Sequence, residues 1–485
     1  MFWRLLRITN QVAFAQSWLK GLSEGQPVFL MLFLGIQGKA YLMGQGGTLV
    51  LVNGTPYDWK NVGQSAYQMN SWTFPDIIPA RSVASVYVER SEGVFQTVSD
   101  DSAQVTYALS GTTYSFDIRA GAPVGFDLRA VFTNIETEGN PRGSTVDLGW
   151  NWNGVVNFVL GGQDGSFVST NPPCSWMSTS LGWLGGRPLR HICMPGSHDS
   201  GMSVFTSGTA FAFPCSTLSQ TSGILGQLQF GVRYFDIRPV ISGGQFYTGH
   251  YSFIDKLKSW QGANGQSIAS VISDVNSFTA SNRELVILYL SHDLNTDLGN
   301  SSYAGFTQDQ WNLLLTQLQQ GLKCLFVKNN PSGIDLTQLT LNDYIGGGAS
   351  VVVIVDSPTV DLGKFYGQGF FNPGNFAVYN QYSNTNVLAQ MQSDQISKLK
   401  QQRPGPDSGY FLLSWTLTQN DVQASTCALG TADSVLDLAA TANPSLFQAL
   451  LPACNSQTYP NIIYVDGVHG SDVAALGLAI NGLAS

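Results

Sequence analysis

The feature that most constrains the fold is an alternation of short apolar runs with longer stretches of helical pattern in the second part of the chain. Two of these stretches, 266–278 and 308–322, have the length and spacing of amphipathic helices. Strands that alternate with helices indicate a parallel sheet, and ~300 residues is a suitable length for a closed eight-fold barrel. The apolar runs predicted as strands are residues 189–194, 232–237, 285–290, 351–355, 411–415 and 462–465.

The first part of the chain has a different pattern, because residues 39–160 contain short β-prone runs between Gly, Asn and Pro turns. This pattern predicts a β-sandwich. Residues 161–186 are rich in Gly, Ser and Pro and are predicted to be a linker. We therefore expect an N-terminal segment of unassigned role (1–38), a β-sandwich accessory domain (39–160), and a barrel (187–485).

An aromatic-rich stretch, residues 57–74, lies within the predicted sandwich. It is interpreted either as core or as a partly exposed surface for a glycan or membrane. The net charge of −9, with 11% charged residues, argues against a nucleic-acid groove or a broad electrostatic contact with anionic lipid. Any membrane contact is expected to be local and apolar. The apolar run 28–36 is too short to span a membrane.

The six cysteines are widely spaced and form no motif for a structural zinc. Cys427 with Cys454 is the first pairing to consider for a disulfide, and buried free thiols are the alternative. The cysteines, together with glycosylation sequons at Asn53 and Asn300, fit an extracellular protein. Residues 1–15 lack the apolar stretch of a clear signal peptide.

Two histidines follow or accompany predicted strands. His198 comes directly after the first strand of the second part, and His250 is expected directly after its third strand. In a barrel both would fall on the face at the carboxyl ends of the strands, where active sites are built. Position alone does not separate a catalytic histidine from a structural one.

Four motifs stand in order around these histidines: Pro-Gly-Ser-His-Asp-Ser at 195–200, Gly-Val-Arg-Tyr-Phe-Asp-Ile-Arg at 231–238, Gly-His at 249–250, and Arg-Glu-Leu-Val-Ile-Leu-Tyr-Leu at 283–290. Together they resemble the catalytic X region of phosphatidylinositol-specific phospholipase C. The resemblance is strong from 187 to about 300 and looser beyond. It implies a phosphodiesterase barrel of the TIM type and cleavage of phosphatidylinositol lipids or glycosyl-phosphatidylinositol linkages, as a phosphoric diester hydrolase or phosphorus-oxygen lyase.

Cleavage of a phosphodiester by a neighbouring hydroxyl needs a base, an acid and positive charge on the phosphoryl oxygens. Histidine suits the first two roles, because its pKa lies near neutrality. The resemblance implies that His198 is the general base and His250 the general acid. It also implies that Asp199 supports the acid and that Arg238 binds the phosphate, while Asp466 is the expected support for the base.

The resemblance also implies that no metal and no other cofactor takes part. Calcium-dependent members of the family carry acidic ligands where this chain has Arg238 and Ser291. Metal-free members usually have a lysine at the place of Ser291, so part of the positive field is expected to be missing. Asp236 is interpreted either as a partner of Arg238 or as part of a core ion pair. The residues predicted to contribute to substrate binding are Asp236, Ser291, Asp293, Asp356, Tyr382 and Trp415.

Two other functions compete with this one. A catalytically weak relative would bind lipid or glycan, and Ser291 leaves room for that alternative. A metal-dependent lipid diesterase would need clustered acidic ligands near the first histidine, and the sequence offers none there. The expected partner is a phospholipid or inositol phosphodiester, with a peripheral membrane or glycan surface contacted through the first domain. Nucleic acid is not an expected partner.

Overall fold

Branched apolar residues form the two most buried six-residue strands of the second part of the chain. The structure, a computed structural model, describes residues 45–91, 100–121, 126–358 and 360–484. Strands Leu285–Leu290 and Ser350–Val355 are almost wholly buried, because their sheet is covered on both faces. The predicted segment 1–38 and its apolar run 28–36 lie outside the described residues.

These two strands belong to a sheet of eight strands, all parallel to their neighbours. One predicted strand is displaced: residues 189–191 form a 3₁₀ turn, and the strand begins at Met194. The reason is that the Leu189 N–H donates to the Leu339 carbonyl, outside the sheet. Across the sheet the order is Phe370–Phe371, Ser350–Val355, Leu285–Leu290, Tyr234–Ile237, Met194–Ser197, Ile462–Val465, Tyr410–Ser414 and Val378–Asn380.

The strand order follows the chain around the sheet, as in an eight-fold barrel, but the sheet is not closed by hydrogen bonds. Among the described residues, no ladder joins Phe370–Phe371 to Val378–Asn380, the two edge strands. The expectation of a closed barrel is therefore not met. Both edge strands are only two or three residues long, which leaves little backbone with which to complete a ladder.

The eight-stranded sheet separates two apolar clusters, because successive side chains of a strand point to opposite faces. Val286 and Leu288 pack with the helices on one face, while Leu285 and Ile287 pack on the other. The helices of the described chain are Trp176–Thr179, Leu181–Leu184, Pro214–Thr217, Ile224–Gln229, Ile268–Thr279, Gln308–Gly321, Leu341–Ile345, Leu388–Gln402, Asp421–Thr426, Val435–Ala453 and Asp472–Leu483. None of these helices is long and apolar enough to cross a membrane.

The first part of the described chain forms two sheets that share one apolar core. One sheet has five strands, in the order Val168–Ser169, Val155–Gly161, Gln45–Gly54, Ser82–Arg90 and Met69–Trp72. The other has six strands, in the order Ile77–Ile78, Trp59–Tyr67, Ser102–Leu109, Ser115–Ala120, Leu128–Val131 and Thr145–Gly149. A sandwich-like core between two sheets is consistent with the β-pattern of the sequence.

The two sheets are not a separate domain, contrary to the sequence prediction. Val50, Val52 and Val159 on the outer face of the five-stranded sheet belong to the same core as helices Val435–Ala453 and Asp472–Leu483. One compact unit accordingly extends from Gly44 to Ser485. The reason is that the strands are apolar on both faces, so a second layer must cover the face turned away from the sandwich.

The predicted linker, residues 161–186, is packed rather than extended. Trp176, Met177 and Leu184 within it are fully buried. Whether 39–160 and 187–485 fold independently of each other stays a prediction. The structure packs Trp176, Met177 and Leu184 of the segment between them into a core that lines the eight-stranded sheet.

The aromatic stretch 57–74 contributes mainly to the core. Trp59 and Phe74 are buried, whereas Tyr67 is 59% exposed. The predicted pairing of Cys427 with Cys454 is wrong: the disulfide joins Cys215 to Cys427, with Cα atoms 5.9 Å apart, and Cys454 is free. Cys215 is distant in sequence and becomes a neighbour only through the tertiary fold.

Close packing between sheet and helix gives a test of the shared core. A Cβ added at Gly161 would lie 2.6 Å from the Ala479 Cβ, whereas one added at Gly63 meets nothing within 4 Å. We expect Gly161→Ala to lower the free energy of unfolding by about 1–3 kcal/mol, because overpacking forces a backbone shift. Gly63→Ala, in an exposed strand, is the control and should change it by about 0.5 kcal/mol or less. Urea denaturation measures both, and an unchanged midpoint for Gly161→Ala would contradict the packing described.

Candidate active site

Four neighbouring parallel strands place polar side chains at one edge of the eight-stranded sheet. His198 directly follows strand Met194–Ser197, and Asp466 directly follows strand Ile462–Val465 beside it. On the other side, Arg238 follows Tyr234–Ile237 and Ser291 follows Leu285–Leu290. Because parallel strands end at the same edge, residues far apart in sequence come together there.

His198 lies between a carboxylate and a guanidinium. Its Nδ1 is 2.7 Å from Asp466 Oδ1, and its Nε2 is 2.8 Å from Arg238 Nη2. A guanidinium can only donate, so Nε2 accepts and the ring is neutral, with its proton on Nδ1 directed to Asp466. The atom that would accept a proton in general-base catalysis, Nε2, therefore carries a lone pair, which the guanidinium occupies here.

Arg238 is the cation of the site and contacts two buried carboxylates. Its Nε and Nη2 lie 3.2 and 3.1 Å from Asp236 Oδ2, and its Nη1 lies 3.5 Å from Asp199 Oδ2. The guanidinium side chain is 17% exposed, whereas that of Asp199 is fully buried. Buried carboxylates need such a partner, because an unpaired charge in the interior is costly.

His250 contacts the same carboxylate from the other side. Its Nδ1 is 2.8 Å from Asp199 Oδ2, although the two groups lack the alignment of a hydrogen bond. Asp199 has a backbone φ of +44°, a left-handed conformation that aspartate tolerates better than most residues. Its N–H donates to Asp236 Oδ2 at 3.0 Å, which holds this turn in place. Uncommon backbone conformations of this kind are frequent at functional sites.

His250 reaches the site on a strand rather than in a strand-end loop, which corrects the sequence expectation. It lies within Gln245–Ile254, a strand of a mostly antiparallel sheet beside the parallel one. The Gly249 N–H donates to the Arg238 carbonyl at 2.9 Å and fixes this strand next to the guanidinium. The other strands of this sheet are Ser207–Gly208, Ser259–Ser267, Pro239–Ser242 and Leu294–Asn295.

The charges of the site shift its pKa values in consistent directions. Burial alone would lower the pKa of His198, but the charge of Asp466 and its hydrogen bond outweigh burial and raise that pKa. Burial would raise the pKa of Asp236, yet the charge of Arg238 holds it well below its usual range. Asp236 is therefore ionised, and its two oxygens act only as acceptors.

Two residues that the sequence analysis did not single out also contact Asp236 or its neighbours. Tyr464 donates its hydroxyl to Asp236 Oδ2 at 2.6 Å, and its ring meets the His198 ring edge-on at 5.4 Å. His292 contacts Ser291 Oγ through Nδ1 at 2.8 Å. The position of His292 directly after a strand was a usable signal in the sequence, whereas that of Tyr464 inside a buried strand was not.

The predicted substrate-binding residues have different surroundings. Asp236 and Ser291 lie in the cluster, and Ser291 donates to Asp236 Oδ1 at 3.3 Å. Asp356 accepts a hydrogen bond from the Tyr289 hydroxyl at 2.8 Å, and Asp293 accepts one from the Phe306 N–H. Tyr382 is 56% exposed.

Trp415 is fully buried and donates its indole N–H to the Ala442 carbonyl at 3.0 Å. A fully buried side chain with its polar atom satisfied is a packing residue. The prediction that it lines a substrate pocket therefore does not fit its position.

The part of the chain that the structure describes contains no group of three or more His, Cys, Asp or Glu side chains arranged to hold a metal ion. Between Asp199 and Asp236, the two carboxylates nearest the first histidine, the Arg238 guanidinium occupies the space in which a cation would have to sit.

Comparison with known proteins agrees with the motifs. A PI-PLC X-box domain-containing protein of Dictyostelium discoideum is 24% identical to this chain over 269 residues. The chain resembles the PI-PLC X-domain family. The match covers 49% of this chain but only 34% of the relative, so the chain spans about a third of that protein's length. No family model matches the chain.

Solved structures were compared as well. A mutant of phosphatidylinositol-specific phospholipase C from Staphylococcus aureus aligns with a TM-score of 0.45 and 14% identity, over 64% of this chain and 97% of that one. The phosphatidylinositol-specific phospholipase C of Listeria monocytogenes aligns with a TM-score of 0.39 and 15% identity, over 64% and 98% of the two chains.

The contact between His198 and Asp466 can be tested through the pKa of the His198 ring. Replacing Asp466 with Asn removes the charge that raises the pKa of His198, while burial, which lowers it, remains. We expect Asp466→Asn to shift the titration of the His198 ring to lower pH, as followed by NMR of the imidazole C–H signals. Asp407→Asn is the control, because Asp407 contacts His191 at 2.9 Å on the surface. An unshifted His198 titration would mean that Asp466 does not set its charge state.

Proposed function

We propose that this protein is a phosphodiesterase of the PI-PLC type. Its substrate would be a phosphodiester with a hydroxyl group on the carbon next to the carbon that carries the phosphate. One observation carries the proposal: His198 and His250 each have a buried carboxylate at Nδ1, on either side of the Arg238 guanidinium. A base, an acid and a cation in one cluster are what this reaction needs. The eight-fold order of the parallel strands supports a barrel of the TIM type as its frame.

In the proposed reaction the neighbouring hydroxyl attacks phosphorus and gives its proton to His198 Nε2. The new oxygen–phosphorus bond closes a cyclic phosphate as the bond to the leaving oxygen breaks. His250 protonates that leaving oxygen, which departs as an alcohol. Asp466 stabilises the imidazolium that forms at His198, and the charge of Asp199, 2.8 Å from His250 Nδ1, stabilises the protonated His250.

In this scheme Arg238 would first donate to His198 and then, once substrate binds, to the phosphate. Without substrate it donates to His198 Nε2, the atom that must accept the proton. A phosphate bound at the site would offer charged oxygens as stronger acceptors and draw the guanidinium away from the ring. Phosphate binding would thereby free the base.

The substrate class that we propose is a phosphatidylinositol-type lipid or a glycosyl-phosphatidylinositol linkage. A carboxylate within 2.8 Å of Nδ1 on each of the two histidines favours an enzyme over a protein that only binds lipid or glycan. An extracellular setting is part of the proposal, and the disulfide between Cys215 and Cys427 supports it, since such bonds persist in oxidising compartments. Contact with a membrane or glycan surface through the first two sheets is likewise a proposal.

The two histidines can be tested separately. We expect His198→Ala and His250→Ala each to lower kcat by about 10²–10⁴-fold on an inositol phosphodiester, because each removes one proton-transfer group. His191→Ala is the matched control, since its ring lies at the surface near the amino end of strand Met194–Ser197. Circular dichroism would check that each variant is folded. Activity close to that of the unaltered protein in either site variant would remove that histidine from the mechanism.

Metal dependence is a second test. If Arg238 supplies the positive charge that the phosphoryl oxygens need, activity should be unchanged in excess EDTA and should not rise when calcium is added. Arg238→Ala should lose activity, and added calcium should not restore it. Loss of activity in EDTA that calcium reverses would show that a metal ion takes part.

A further inference from the structure

His292 is a histidine of the site that the proposed mechanism does not use. It follows strand Leu285–Leu290 at the same edge of the sheet and has a backbone φ of +56°, an uncommon conformation for this residue. The residue as a whole is exposed, so a ligand can reach it. Within the described chain, the ring makes a hydrogen bond to Ser291, with Nδ1 2.8 Å from Ser291 Oγ.

The hydrogen bonds of Ser291 determine which ring nitrogen of His292 carries the proton. Ionised Asp236 can only accept, so the single hydroxyl proton of Ser291 is directed to Asp236 Oδ1, at 3.3 Å. Ser291 Oγ must then accept from His292 Nδ1–H. A neutral His292 consequently has its lone pair on Nε2, the nitrogen at the exposed end of the ring.

We propose that His292 Nε2 accepts a hydrogen bond from a hydroxyl of a polyol head group, which makes His292 a specificity-determining residue of this site. The inference rests on the proposed function. Ser291 acts as a positioning residue: because it donates to Asp236, it must accept from His292 Nδ1–H, and this leaves the lone pair of the ring on Nε2. A neutral acceptor here would select hydroxyl groups, whereas a lysine at the place of Ser291 would bring a second cation.

The charge state of His292 agrees with an acceptor role. Nearby protein partly desolvates the imidazole and lowers its pKa, and Arg238 lowers it further, while Asp236 and Asp199 oppose this and His198 adds to it. A lowered pKa keeps the ring neutral at neutral pH. The acceptor is lost only as the pH falls through that pKa, on the acid side of the usual histidine range.

Binding of small phosphates tests the inference without depending on turnover. We expect His292→Ala to weaken binding of myo-inositol 1-phosphate by about tenfold, the loss of roughly one hydrogen bond, as measured by titration calorimetry on the full chain. Binding of ethyl phosphate, which has no hydroxyl on its carbon chain, should stay within about twofold. His292→Gln should retain most of the inositol 1-phosphate affinity, because its amide oxygen can accept.

Two further variants complete the design. Ser291→Ala should give a partial loss of inositol 1-phosphate affinity, since the ring can then adopt either tautomer. His191→Ala should leave the affinities for both phosphates unchanged.

The outcomes separate the inference from the proposed function. Equal weakening of inositol 1-phosphate and ethyl phosphate in His292→Ala would mean that the ring contacts phosphate, and would overturn the inference. Unchanged affinity in His292→Ala would do the same, while leaving the mechanism of His198 and His250 intact. If the unaltered protein neither binds inositol 1-phosphate nor cleaves an inositol diester, the proposed function and the inference both fail.

Discussion

The Arg238 guanidinium is the interaction on which the rest of the site depends. It is shared by His198 and Asp199, which follow one strand, and by Asp236, which lies in the neighbouring strand Tyr234–Ile237. Without it, two buried carboxylates would face each other, and their mutual repulsion in a medium of low dielectric would be severe. The cation therefore does more than prepare a phosphate site, because it holds together the ends of neighbouring strands.

The same network explains why the residues that cluster around Arg238 could be placed together from the sequence. His198, Asp199 and Arg238 lie in short motifs next to strands, and neighbouring parallel strands bring their ends to one edge. Local sequence and the geometry of parallel sheets are then sufficient to place these groups near one another. Asp466 could be anticipated for the same reason, since it ends the strand adjacent to His198.

Other features could not be predicted, because they depend on contacts between distant segments. The partner of Cys427 is Cys215, 212 residues away, and nothing near either cysteine in sequence specifies it. Tyr464 looks like an ordinary residue of a buried strand until its hydroxyl is seen at Asp236. Likewise, the Gly-rich composition of 161–186 suggested a linker. Trp176 is nevertheless buried, in a core cluster that includes residues of the distant helix Asp472–Leu483.

The cover of the five-stranded sheet has a consequence for the way this protein is made. Val50 and Val159 lie early in the chain, but the helix that covers them, Asp472–Leu483, is the last element described. Asp466, which orients His198, precedes that helix only slightly. During synthesis from the amino end, this apolar face lacks the cover of that helix until the residues up to Leu483 have been made. The early strands therefore wait for more than three hundred residues of later chain before their second face is covered, and they are exposed to aggregation during that time.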